Sequence, residues 1–150
     1  MNVEARDRFL GSIRARDNEY KTFKALCEKR LEEAKKTSGV QSPEYSRCSE
    51  NYYGLEYPIP EAECKVARSI LSAMEKGTEN AVVVDDFTTI WDKEIREFCK
   101  ILESLECRKI LWMNNSSGMV DTLAEFADNG WNVTGITGVG EKPAVILEAV

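Results

Sequence analysis

The stretch AVVVDDFTTIWDKEI, residues 81–95, decides the fold. Its four leading apolar residues, three of them valine, read as a short strand buried on both faces, since β-branched side chains favour extended backbone. The chain then crosses two aspartates and two threonines and enters a helix. Trp91, Ile95, Phe98, Leu102 and Leu105 recur at spacings of 4, 3, 4 and 3, the stripe of a helix facing a core. Working outward, the pattern repeats. Residues 109–113 form a second apolar strand, and Met119, Leu123, Phe126 and Ala127 mark a second helix closed by Asn129-Gly130. Residues 131–137 form a third strand, GVGEKP turns the chain, and residues 144–150 form a fourth. Apolar strands joined by helical crossovers imply an α/β fold with a small sheet of three to four mostly parallel strands, flanked by helices. The last strand follows a short turn, so it is expected to run antiparallel, at an edge.

Upstream, residues 4–36 read as one long helical extension. Phe9, Ile13, Tyr20, Phe23, Cys27, Leu31 and Ala34 supply a narrow apolar stripe, and Thr37-Ser38-Gly39 a stop. Gly11-Ser12 is a point where a first segment could split off. The stripe suits packing on the body or pairing with another helix, including that of a second copy. Residues 40–58 read as an irregular loop carrying four tyrosines, Tyr45, Tyr52, Tyr53 and Tyr57. Such rings either pin the loop to the core or offer large, low-entropy contacts to a protein partner. Pro58-Ile59-Pro60 opens a helix running to about Lys76, with Val66, Ile70 and Met74 on its apolar face and Gly77 at its end. The expected organisation is therefore a helical segment 1–38, a tyrosine-rich loop 39–59 and an α/β region 60–150, together in one compact domain.

Composition narrows the chemistry. The 150 residues contain no histidine, which removes Ser-His and Cys-His nucleophile systems, histidine-ligated zinc and imidazole acid–base catalysis. An enzyme built from this chain would need carboxylates, lysine, tyrosine, thiol or a bound magnesium ion. Five cysteines, an odd number with no C-x-x-C spacing, read as small buried thiols of a reducing compartment, with a disulfide framework or zinc site as the alternative. The apolar runs are too short to span a bilayer, and charges at positions 4, 6, 7 and 8 interrupt any signal-peptide core. A cytoplasmic protein off the membrane is expected. Net charge is −6, with residues 1–37 at +3 and residues 38–150 at −9. Such a body discourages direct nucleic-acid binding and suits a basic protein partner, or a protein imitating nucleic acid in a groove.

In open α/β sheets ligands sit beyond the carboxyl ends of the strands. Those ends are DDFTT, NNSSG and TGVG here, so the candidate ligand-binding residues are Asp85, Asp86, Thr88, Asn114, Asn115, Ser116 and Ser117. In the enzyme or ligand-binder alternative, Asp85, Asp86, Asn115 and Ser116 would gather around magnesium or an anion. The structural alternative is that these groups serve the turns. Thr89 with Asp92 resembles a capping box, and Ser116 or Ser117 can cap the next helix.

A strand ending in acids, followed by one ending in Asn-Ser, looks like the opening of haloacid-dehalogenase-type phosphatases. That family's motif is Asp-x-Asp, whereas Asp85 and Asp86 are adjacent and point apart on extended backbone. The later lysine and acidic pair stand at no comparable strand end. Response-regulator receivers differ similarly, and GITGVG leads to a turn where a phosphate cradle needs a helix.

Residues 94–140, with the Phe98-centred helix, Asn114-Asn115-Ser116-Ser117, Leu123, Phe126, Gly130 and Gly135, resemble a family of small uncharacterised proteins from mobile elements of gut Firmicutes. The resemblance implies a setting among accessory genes of phages and plasmids, where small acidic proteins bind and inhibit host defence machinery. It brings no catalytic residues and no cofactor. The expectation is a non-enzymatic acidic binding protein, in its specific form an inhibitor of a defence nuclease or CRISPR complex.

Overall fold

The structure, a computed structural model, describes every residue except Glu79. Nine elements follow one another: α1 (Val3–Thr37), α2 (Pro43–Tyr53), α3 (Glu61–Glu75), β1 (Val82–Val84), α4 (Asp92–Ser104), β2 (Lys109–Trp112), α5 (Met119–Asp128), β3 (Trp131–Val139) and β4 (Lys142–Ala149). They form two compact units, one of Met1–Gly11 with Pro60–Val150 and one of Ser12–Ile59. α1 is unbroken at Gly11, although the division between the units falls there.

In the larger unit the strands stand in the order β1-β2-β4-β3. β1 pairs parallel with β2, while β4 runs antiparallel to both β2 and β3. Thus β1, β2 and β3 all point one way and β4 the other, as expected. The edge position is corrected: β4 lies inside the sheet. The apolar run from Ala144 to Leu147 suits a strand with neighbours on both sides, whereas Asn132, Thr134 and Thr137 give β3 the polar alternation of an edge. Val139 pairs with Lys142, so the turn is a two-residue hairpin. Gly140 takes φ +62°, a left-handed conformation that costs glycine nothing.

The pleat sorts the core into two faces. Val82, Val84, Ile110, Trp112 and Leu147 cluster with Ile95, Phe98 and Leu102 of α4 and Phe126 of α5. The Phe126 ring stands edge-on to both Phe98 and Trp112, at centroid distances of 5.9 and 5.5 Å. Each such buried ring or aliphatic chain contributes about 1.5–3 kcal/mol. The opposite face, with Val83, Leu111 and Ala144, forms a smaller cluster whose helical member is Ala73 of α3. α4 and α5 therefore share one face. The reason is winding: the chain moves from β1 to β2 to β3 in one direction across the sheet, and right-handed crossovers then fall on one side.

In the smaller unit, Cys27, Leu31 and Ala34 form the buried stripe of α1. The expected loop 39–59 is corrected in its middle, where eleven residues form α2. Ser42 caps it, its hydroxyl accepting the Tyr45 N–H at 3.1 Å, and Pro43 follows in the first turn, where its missing N–H is harmless. The tyrosines masked this Ser-Pro start signal. Among the described residues no helix is long and apolar enough to cross a membrane.

Candidate functional site

The carboxyl ends of β1 and β2 bring DDFTT and NNSSG together. β1 ends at Val84, and the next carboxylate turns inward. Asp85 Oδ1 accepts the Phe87 N–H at 3.0 Å and the Thr88 hydroxyl at 3.2 Å, while Oδ2 accepts the Ser72 hydroxyl of α3 at 3.0 Å. Lys76 Nζ donates in turn to Ser72 Oγ at 3.1 Å. Asp86 points away from Asp85, its carboxylate exposed and 4.0 Å from the exposed Lys142 ammonium. One aspartate therefore ties a turn to a helix, and its neighbour faces water.

Thr88 is fully buried, and its carbonyl accepts Asn114 Nδ2 at 2.7 Å. Asn114 is buried too. Its Oδ1 accepts the Ser116 N–H at 3.1 Å and its carbonyl accepts Trp112 Nε1 at 2.7 Å. Asn114 is the pin between the two loops. Asn115, Ser116 and Ser117 lie exposed beyond it.

The expected caps are corrected at both helices. At α4 the capping residue is Trp91, whose N–H is accepted by the Glu94 carboxylate at 2.9 Å, displacing the Thr89–Asp92 pairing. At α5 neither serine caps. Gly118, at φ +85°, precedes the helix, the Ser116 carbonyl accepts the Met119 N–H at 3.2 Å, and no side chain caps the terminus among the described residues. The left-handed glycine turns the serine side chains off the helix axis.

Two open hollows flank these loops. One, of about 410 Å³, is lined by Asp85, Asp86, Phe87, Lys76, Met113 and the β3–β4 hairpin. The other, of about 610 Å³, lies between the starts of α4 and α5, with Trp91, Lys93, Ser116, Ser117 and Asp121 on its walls. Both mix acids with lysines. Among the described residues no three His, Cys, Asp or Glu side chains are grouped to hold a metal ion. The ligand crevice of an α/β sheet opens where the winding reverses, and the order β1-β2-β4-β3 contains no reversal. The rim instead displays Phe87, 88% exposed, and Trp91, 60% exposed. Sequence reasoning placed Trp91 on the core stripe of α4 and passed over Phe87. The available signal was position: each stands in a turn, before the first helical residue.

Of the four tyrosines, Tyr45 and Tyr52 are half-buried on α2, and Tyr53 is exposed, edge-on to Tyr52 at 5.0 Å. Tyr57 stands edge-on to Tyr20 at 5.1 Å and donates its hydroxyl to Asp17 Oδ1 at 2.7 Å. Lys21 beside Asp17, together with that hydroxyl, holds the carboxyl below its usual range. Tyr53 and Tyr57 keep faces open to solvent.

No curated protein and no solved structure matches the chain. A family model, a domain of unknown function (DUF7698), matches residues 70–144, which is half of the chain and takes in both strand-end loops. The chain belongs to the DUF7698 family.

Proposed function

We propose that this chain is a non-catalytic binding protein whose acidic α/β unit docks a basic protein surface. Its setting is a mobile element of gut Firmicutes, and its target a host defence nuclease or CRISPR-type complex, whose nucleic-acid groove is basic. One observation carries the reading: Asp85, Thr88 and Asn114 are spent on one another, on the loops and on α3, while Phe87 and Trp91 stand out beside Asp86 and Asp92. Exposed aromatics on a polar rim are what a docking surface offers, and aromatic anchors that become buried carry most of the energy of such contacts. The unit's charge supports it, with eleven Lys/Arg against eighteen Asp/Glu. The exposed Tyr53 and Tyr57 extend the same logic to the helical unit.

The test is capture by the tagged full-length chain of a stoichiometric, basic partner from host lysate. Binding should weaken at least tenfold for Phe87→Asp, and on raising salt from about 0.1 M to about 1 M, where the screening length falls to about 3 Å. Failure to recover a stoichiometric partner, or indifference to both changes, overturns it.

The rival reading places magnesium or an anion in the hollow beside Asp86, the carboxylate of the pair that faces solvent. Thermal-shift measurements with divalent metals and nucleotides separate the two. A ligand at about 100 times its Kd adds about 2.7 kcal/mol and raises the transition clearly.

A further inference from the structure

We propose that β3 is the seam along which two copies of this chain join, antiparallel across a two-fold axis, so that two four-stranded sheets become one and the two α5 helices meet beside them. The two edges of the sheet differ sharply. β1 has three residues, all at 0% exposure, so its outer ladder is covered. β3 has nine, exposed along most of their length. Edge strands are ordinarily guarded by charge, by proline, by brevity or by a bulge, and of these WNVTGITGV has only the bulge, in its first half. A bulge between Val133 and Gly135 bends its first half, leaving residues 135–139 regular. A two-residue loop makes Val139 and Lys142 a hydrogen-bonded pair. By alternation Thr137 and Gly135 then bond to β4, and the N–H and C=O of Ile136 and Gly138 face outward.

The helix layer ends at the same edge; α5 carries Asp121, Glu125 and Asp128, and its uncharged flank is Val120, Ala124 and Ala127. α5 packs along β3. Asp121 and Thr122 line the hollow shared with the start of α4, so that flank of α5 faces α4. Val120, Ala124 and Ala127 lie about 60–120° round the helix from Asp121 and about 140–160° from Thr122, on the other flank, and all three are exposed. Below them, on the same face of the sheet, Val133 and Ile136 are 54% and 75% exposed.

The residues of β3 itself and of the flank of Val120, Ala124 and Ala127 carry no charge, and a basic partner would meet acids only at the margins, in Glu148 beside Thr134 and Asp128 beside Ala124. A strip without charge, with outward backbone groups and small side chains on its helix, is complementary to itself under a two-fold rotation. The five regular residues 135–139 span about 17 Å and two layers about 20 Å. The seam then buries about 350 Å² per copy, the size of a weak, concentration-dependent contact.

Sedimentation velocity of the full-length chain tests this, between about 1 µM and about 1 mM, a span that takes in weak, concentration-dependent contacts. The wild-type chain should dimerise. Ile136→Lys and Ile136→Glu, at a side chain outside the core, should each be monomeric with unchanged circular dichroism. Mixing them should restore the dimer through opposite charges at the dyad. Ala124→Glu should raise the dissociation constant at least tenfold, and it decides the matter alone if the strand variants misfold. A monomeric wild-type chain overturns the proposal, even if it binds another protein's extended peptide. So does a dimer untouched by these substitutions, which would place the contact elsewhere, as on α1.

Discussion

Replacing Asp85 by alanine removes the acceptor for three donors: the Ser72 hydroxyl, the Thr88 hydroxyl and the Phe87 N–H. Their fates differ. Phe87 is exposed, so its N–H finds water at little cost. Ser72 still accepts from Lys76, but its own buried hydroxyl is left without an acceptor, because an ammonium cannot accept. The Thr88 hydroxyl is fully buried and is left without its carboxylate. A hydrogen bond to a charged acceptor contributes about 1.5–3 kcal/mol, and an orphaned buried donor costs about 1–3 kcal/mol. These overlap rather than add, so the predicted loss is about 3 kcal/mol. Asp85→Asn keeps Oδ1 and should cost about 1 kcal/mol, one neutral bond's worth. Asp86→Ala breaks only an exposed pair and should cost under about 0.5 kcal/mol. Asn114→Ala, which unpins Thr88 from the second loop, should cost about 2 kcal/mol. Urea unfolding followed by tryptophan fluorescence is the assay, because Trp91, Trp112 and Trp131 all lie in the α/β unit and report it apart from the helical one. At a slope of about 2 kcal/mol per molar, Asp85→Ala should lower the midpoint by about 1.5 M. Equal, small effects of the two aspartates would refute the reasoning, because Asp85 would then be as free as Asp86 for chemistry.

Glu94 accepts from both Lys65 and the Trp91 N–H, deep beside α3, so Glu94→Ala strands a buried ammonium. It should cost about 3–5 kcal/mol, read as a fall of about 10 °C in the melting midpoint. Burial pushes the Cys99 thiol up to about 12, and pushes Cys107 upward too. Iodoacetamide near pH 8 should therefore alkylate the half-buried Cys48 while sparing Cys99 and Cys107 until denaturant is added, as peptide mass spectrometry can check. Native labelling of Cys99 at a free thiol's rate would contradict this. Lys21, then the Tyr57 hydroxyl, depress the Asp17 pKa below its ordinary 3.8, so the folded form holds its proton less tightly than the unfolded one. The Tyr57 contact is therefore intact above about pH 4 and lost as pH falls through the depressed value. Tyr57 ring signals in a proton NMR titration should move in that window and lose their midpoint in Asp17→Asn.

What was legible in the sequence was whatever one residue's neighbours along the chain could settle. Ile95, Phe98 and Leu102 announce α4 by spacing alone, and all three are fully buried. Val82 to Val84 announces a covered strand. The opposite sense of β4 follows from a turn too short for a crossover. The position of β4 was a question about pairing across the sheet. Its answer lay in comparing two strands: β4 is apolar on both faces, while β3 is apolar on one and dotted with threonine and glycine. α2 was hidden for a different reason. Its apolar content is tyrosine, which serves loop, helix and interface alike, and no residue of it is buried, so no stripe was there to find. Asp85 and Asp86 were indistinguishable as letters. Only the third dimension puts Ser72 of the preceding helix within 3.0 Å of one and leaves the other to solvent.

The same inward move of β4 governs where function can sit. Had β4 stayed outside, β2 and β3 would be adjacent parallel strands, and three carboxyl ends would line up as a shelf. Placing β4 between them sends its amino end, with Lys142, up through that shelf next to Asp86. It also pushes the β3 terminus outward and leaves β3 an open edge nine residues long. In place of one shelf the strand ends carry two separate open hollows, and β3 is left unpaired along its outer side. That is why Phe87, Trp91 and Ile136 weigh more in the functional reading than the aspartates that first draw the eye.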